Sequence, residues 1–133
     1  RAPLLPVSAP FPCELMRPAA EVMAEALAKV AVRRPCVPLV ANVAAKPVSE
    51  PTAIVDGLIA QVTGTVRWRE SVAFMAGAGV GMFYEVGAGK VLTGLVKRIA
   101  SGATGVAIGT PADIASFVAA RSQTLPLRAT GTA

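Results

Sequence analysis

Histidine is missing altogether from the 133 residues. Its absence removes the side chain that most often acts as a general base near neutral pH, and leaves any zinc set without an imidazole. Cysteine is nearly as scarce. Cys13 and Cys36 stand 23 positions apart with no Cys-x-x-Cys spacing, which reads as a reduced thiol pair in a cytoplasmic setting. Charged residues make up only 16% and aromatic residues 5%, whereas 53% are hydrophobic. That balance excludes intrinsic disorder. Long apolar runs are lacking too: residues 72–84 form a run of 13 broken by three glycines, against roughly 18 to 20 for a bilayer span. Arg-Ala-Pro-Leu-Leu-Pro at the start is too proline-broken for a signal peptide, and with no initiator Met the chain is expected to be a piece of something longer.

Thirteen Lys and Arg against eight Asp and Glu give a net charge of +5. The cations are scattered, and their tightest groupings are the Arg33-Arg34 and Lys97-Arg98 pairs. A nucleic-acid surface would gather them with stacking aromatics, so no nucleic-acid partner is expected, while attraction to an acidic partner stays open.

Prolines 3, 6, 10 and 12 keep residues 1–12 extended. A first helix follows, from Cys13 or Pro18 to Val30, with Leu15, Ala19, Val22, Ala26 and Val30 on its inward stripe. Residues 37–43 read as a short buried strand. A second helix starts among residues 49–52, faces inward through Ile54, Val55, Leu58, Ile59 and Val62, and closes at Gly64. Trp68, Val72 and Met75 make a third helical stripe, and residues 80–86 a second strand. After Gly87-Ala88-Gly89 comes a fourth helix with Val91, Leu92, Leu95, Val96 and Ile99 inward. A last strand over 106–108 leads to a fifth helix capped by Thr110, with Pro111 at its first position and Ile114, Phe117 and Val118 inward. Residues 121–133 read as a flexible tail. The class is therefore α/β, with short, largely parallel strands and about five flanking helices. Three strands make a thin sheet, so further strands are expected from elsewhere.

Few constellations carry chemistry. Val86-Gly87-Ala88-Gly89-Lys90 has the form of a phosphate-binding turn, but Tyr84 and Val91 break the Walker spacing and Leu92 breaks the dinucleotide fingerprint. It reads as a packing turn. No serine lies in a Gly-x-Ser-x-Gly elbow. Cys13, between Pro12 and Glu14, reads as a structural thiol, and Glu21 with Glu25 reads as a solvated helix face. Arg67-Trp68-Arg69 reads as a core tryptophan flanked by cations whose stems lie along apolar surface. On residue chemistry alone this is an α/β domain without a self-sufficient active site.

Four segments taken together point further: Leu5-Pro6-Val7-Ser8-Ala9-Pro10-Phe11, Leu15-Met16-Arg17-Pro18-Ala19, Val66-Arg67-Trp68-Arg69-Glu70-Ser71-Val72 and Tyr84-Glu85-Val86-Gly87-Ala88-Gly89-Lys90-Val91-Leu92-Thr93-Gly94-Leu95. They closely resemble the malonyl-CoA:acyl-carrier-protein transacylases of type II fatty-acid synthesis, over residues 4–120. The resemblance implies the C-terminal part of that family's large α/β-hydrolase-like domain, residues 1–120, without the nucleophile-elbow half and the ferredoxin-like subdomain. It implies a cytoplasmic S-malonyltransferase, often monomeric, with malonyl-CoA as substrate, acyl carrier protein as partner, no bound cofactor and no membrane or nucleic-acid role. In the family a serine carries the malonyl group as an ester, a histidine moves its proton, an arginine pairs with the malonyl carboxylate, and a glutamine main-chain carbonyl orients the imidazole. Pro12 stands at the histidine position and Gln61 at the glutamine position. Asn42 falls at a strand end facing the family's cleft. Serine and arginine are expected upstream of Arg1. The chain alone is thus expected to be inactive; the alternatives are a non-catalytic carrier-protein-binding module and a fragment of a polyketide-synthase acyltransferase.

Overall fold

The computed structural model describes residues 11–124. The extended segment expected before Phe11, and the tail after Thr124, lie outside the described residues. Contacts divide the chain into two compact units, at Met75 and Ala76.

In the first unit a single 3-10 turn, Glu14–Met16, runs into α1, Arg17–Leu27. Pro18 sits in the first turn of α1, where its missing N–H costs nothing. Helix α1 packs on α2, Pro51–Ala60, where Pro51 takes the first helical position after Glu50 in an extended conformation. The face of α1 that meets α2 carries Ala20 and Ala24, opposite Ile59, Ala60 and Thr63. This corrects the expected inward stripe: Leu15 is 80% and Val22 67% exposed. Apolar residues ring most of α1, and the close approach of α2 selects the small alanines over the bulkier stripe.

The expected strand at 37–43 shortens to β1, Leu39–Val40, and pairs antiparallel with an unanticipated β2, Pro47–Val48, in the register Leu39 to Val48 and Val40 to Pro47. Loop 41–46 closes this hairpin through Ala41 N–H to Lys46 O and Ala45 N–H to Ala41 O. Buried Ala45 takes a φ of 51°, left-handed for a residue that carries a Cβ. α3, Trp68–Gly77, holds Ser71 and Val72 buried, Val72 completely.

The second unit is built on a parallel pair, β3, Met82–Val86, and β4, Thr104–Ile108, connected through α4, Val91–Ile99. Each strand residue pairs in register from Met82 with Thr104 to Val86 with Ile108. The bonds Thr104 N–H to Gly81 O and Gly87 N–H to Ile108 O extend the ladder at both ends. Side chains alternate along β3. Phe83 and Glu85 are half-buried, whereas Met82, Tyr84 and Val86 are exposed, Val86 by 80%. Tyr84 meets Phe117 of α5, Pro111–Thr124, edge to face at 5.0 Å between ring centres. Thr110 and Asp113 cap α5 reciprocally: Asp113 N–H donates to Thr110 Oγ1, and Asp113 Oδ2 accepts from the Thr110 amide and hydroxyl and from Gly109 N–H. Helix α5 continues past Arg121, through Thr124.

Glu85 decides how α4 sits. Its carboxylate accepts Leu92 N–H at 3.1 Å, Thr93 N–H at 2.7 Å and the Thr93 hydroxyl at 2.7 Å. So tied, α4 turns Val96 into the core and leaves Val91 72% exposed, with Leu92 also exposed, against the inward face expected for both. Ile114 and Val118 of α5 are likewise exposed, and Phe117 is the one of that trio that turns inward. Thr93 presses on β4 where Gly105 has no side chain: a Cβ there would lie 2.9 Å from Thr93 Cγ2 and 3.2 Å from Thr93 O.

Two outcomes follow from the second unit. Gly105→Val drives a branched side chain into Thr93 and lowers stability by about 1–3 kcal/mol, read as a lower midpoint in thermal or urea unfolding. The hydrogen bonds from the Thr93 side chain and then its amide hold the Glu85 carboxyl below its ordinary value of 4.5, and bonds from the Thr110 side chain and the Gly109 and Thr110 amides do the same for Asp113. A depressed carboxyl contributes stability that is present above the unfolded value and is lost as pH falls through the folded one. The melting temperature is therefore level above pH 5 and falls below about pH 4, with a smaller acid loss in Glu85→Gln.

Candidate functional site

Helix α2 ends at Ala60, and the way it ends creates a polar site. Gln61 keeps a helical backbone and donates its N–H to Gly57 O at 3.1 Å. Val62 N–H then bonds Ile59 O, and Gly64 N–H bonds Ala60 O at 2.9 Å. These two bonds satisfy the Ile59 and Ala60 carbonyls but skip those of Leu58 and Gln61, which receive no backbone N–H among the described residues. The Gln61 carbonyl stands at the negative end of the helix dipole, where an N–H donor or a cation is favoured. Gly64 makes the turn feasible, because a Cβ on it would lie 2.8 Å from Ala60 O and 3.1 Å from Val43 Cγ1.

The Gln61 side chain is held from the hairpin. Asn42 Nδ2 donates to Gln61 Oε1 at 3.1 Å, and both half-buried residues line one cleft of about 210 Å³ with Leu39, Val40, Ile54 and Leu58. Asn42 is anchored in turn, since its main-chain oxygen accepts Arg67 N–H at 2.9 Å. The Arg67 guanidinium bonds Ala44 O at 3.3 Å and Glu70 at 3.1 Å. Glu70's own backbone N–H, then Arg67, keep the Glu70 carboxyl below its usual range. Arg67 is thus a clamp on loop 41–46, a role that reading it as a flanking cation missed. Trp68 is half-buried, as a core residue should be, and its Nε1 is enclosed without an acceptor among the described residues.

Pro12 lies in the segment before the 3-10 turn, half-buried, after a cis Phe11–Pro12 bond. It has neither an N–H nor a side-chain lone pair, and no hydrogen bond joins it to Gln61. Of the residues singled out from the sequence, the structure therefore brings Asn42 to Gln61 and leaves Pro12 outside that hydrogen-bonded pair. Cys13 is half-buried and Cys36 exposed, both as free thiols. Among the described residues no group of three His, Cys, Asp or Glu side chains could hold a metal. The glycine turn before α4 is a packing turn. Gly87 and Gly89 take positive φ values of 141° and 103°, and a Cβ on Gly109 would come within 2.8 Å of Gly87 O. The first amides of α4 already hold the Glu85 carboxylate, which fills and repels the place a phosphate would take.

Comparison with known proteins agrees with this frame. No family model matches the chain. It is 47% identical over 116 residues to the malonyl CoA-acyl carrier protein transacylase of Salmonella typhimurium, 87% of this chain but 38% of that protein. The Bacillus subtilis transacylase matches at 40% over 114 residues, 86% of this chain and 36% of that protein. The polyketide biosynthesis protein ThaF of Burkholderia thailandensis matches at 35%, over 98% of this chain and 11% of that protein. Among solved structures, the acyl-carrier-protein S-malonyltransferase of Bartonella henselae superposes with a TM-score of 0.81 at 47% identity, covering 94% of this chain and 39% of that one. A malonyl-transacylase solved in complex with a type II polyketide acyl-carrier protein, PlMCAT with AntF, superposes at 0.75 and 39% identity over 84% of this chain and 36% of that one. The chain spans less than two fifths of the transacylases it matches. By sequence and by fold it belongs to the malonyl-CoA:acyl-carrier-protein transacylase family, and it matches the C-terminal part of those proteins.

Proposed function

We propose that this chain is part of a transacylase that moves a malonyl group from coenzyme A, through a seryl ester, to the pantetheine thiol of an acyl carrier protein, and that it carries the carbonyl that seats the family's imidazole without the imidazole itself. The observation that carries the reading is the open Gln61 carbonyl at the end of α2. A carbonyl in that setting accepts an imidazole N–H, fixes the ring's tautomer and leaves its other nitrogen to exchange a proton with a serine or a thiolate. Pro12 stands where the family has the imidazole, and it can neither accept nor donate a proton. With no histidine and no Gly-x-Ser-x-Gly elbow in its 133 residues, the polypeptide by itself does not carry out the transfer. The reaction calls for no bound cofactor, and its setting is the cytoplasm; no described helix is long and apolar enough to cross a membrane.

A second reading has support of its own. The net charge of +5 and the likeness to a transacylase solved with its carrier protein favour a non-catalytic module that binds an acidic carrier. The likeness to the polyketide biosynthesis protein ThaF, at 35% against 47% for the transacylases, makes a polyketide origin the second choice.

The test of the first reading joins these residues to the N-terminal part of a family member and follows malonyl transfer to carrier protein by mass. Pro12→His is expected to load the carrier at least about 100-fold faster than the proline form, in line with the usual share of general acid–base catalysis. Equal loading by the two forms overturns it. For the second reading, the 133-residue chain binds carrier protein at low salt and loses affinity as salt is added; absence of binding at low salt overturns that version.

A further inference from the structure

Asn42 and Gln61 are 19 positions apart, yet a single hydrogen bond of 3.1 Å joins their carboxamides inside a cleft whose remaining walls are apolar. No ionisable side chain lines that cleft, so nothing charged competes with the pair. A hydrogen bond between apolar walls is costly to leave unmade, which makes the contact selective as well as favourable. Neither partner is loosely held. Asn42 is anchored through its main-chain oxygen by Arg67, and Gln61 stands in the last helical turn of α2. A glutamine side chain carries both an acceptor and a pair of N–H donors, and a free one samples many rotamers. Holding its Oε1 against the hairpin limits where that side chain, and with it the peptide that bears it, can move.

We propose that Asn42 is a positioning residue, whose carboxamide holds the Gln61 side chain and thereby fixes the peptide carbonyl that orients the family's imidazole. This rests on the reading of Gln61 given above. The pairing also assigns a task to Asn42, which the sequence places at the cleft and nothing else explains.

The absence of histidine makes the test clean. Pro12→His in the full 133-residue chain introduces a single imidazole, whose titration is followed by NMR without overlap. A carbonyl accepting the imidazole N–H favours the protonated ring. The introduced imidazole is therefore expected to bind its proton about tenfold more tightly than a free histidine of pKa near 6.5. Adding Asn42→Leu is expected to remove at least about threefold of that gain. Gln61→Leu, which keeps the carbonyl, is expected to remove as much, and the two together no more, because both delete one bond. Asn42→Ser, polar but too short to reach Oε1, gives the same loss and serves if the leucine variant does not fold. A raised proton affinity that survives both Asn42 variants overturns the role of Asn42 while leaving the Gln61 reading intact. An ordinary proton affinity in Pro12→His alone overturns the Gln61 reading, and the positioning role with it.

Discussion

The end of α2, where the Leu58 and Gln61 carbonyls receive no backbone N–H among the described residues, is the constraint around which the polar contacts of the first unit gather. Helix ends leave several carbonyls in need of donors, and a short turn normally supplies them from the following residues. Here the turn satisfies Ile59 and Ala60 and passes over Leu58 and Gln61. The pieces around it all serve that geometry: Gly64 allows the tight return, Asn42 takes the Gln61 side chain, and Arg67 holds the hairpin that carries Asn42. On the proposal above, the donor for the Gln61 carbonyl would be an imidazole, and the chain holds no histidine to supply one.

The second unit depends on a different device, the Glu85 carboxylate. It joins a strand to the start of the next helix in the sequence and so sets which side of α4 faces β3 and β4. The same carboxylate occupies the amides that a phosphate at this glycine turn would need. The helix amides are taken by a charge within the chain. Many apolar side chains on this unit stay exposed, among them Met82, Tyr84 and Val86 along one face of β3. Exposure of that kind suits a parallel pair that has few neighbours of its own, since parallel sheets are ordinarily covered on both faces.

The sequence reading reached the features set by local chemistry. Thr110, Pro111 and Asp113 announced the start of α5 because a cap, a first-turn proline and a third-position carboxylate act within four residues. The α/β class, the five helices and the two strands of the parallel pair were legible from periodicity and from glycine punctuation. The buried face of α1 was not, because apolar residues surround that helix and only the approach of α2 chooses among them. Strand β2 was hidden by Pro47, which tolerates only an edge position. At the site, Gln61 and Pro12 were reached through the family resemblance. The Asn42 contact, across 19 residues, left one trace in the sequence: a carboxamide at the close of an apolar run, which needs a partner when buried.

On the function proposed above, a carbonyl end without an imidazole is a scaffold that transfers no proton. This is tested by incubating the purified 133-residue chain, unaided, with malonyl-CoA and holo acyl carrier protein and weighing the carrier by mass spectrometry. The account predicts no malonyl adduct above that formed without the chain. A carrier protein loaded at ordinary enzymatic turnover would contradict it.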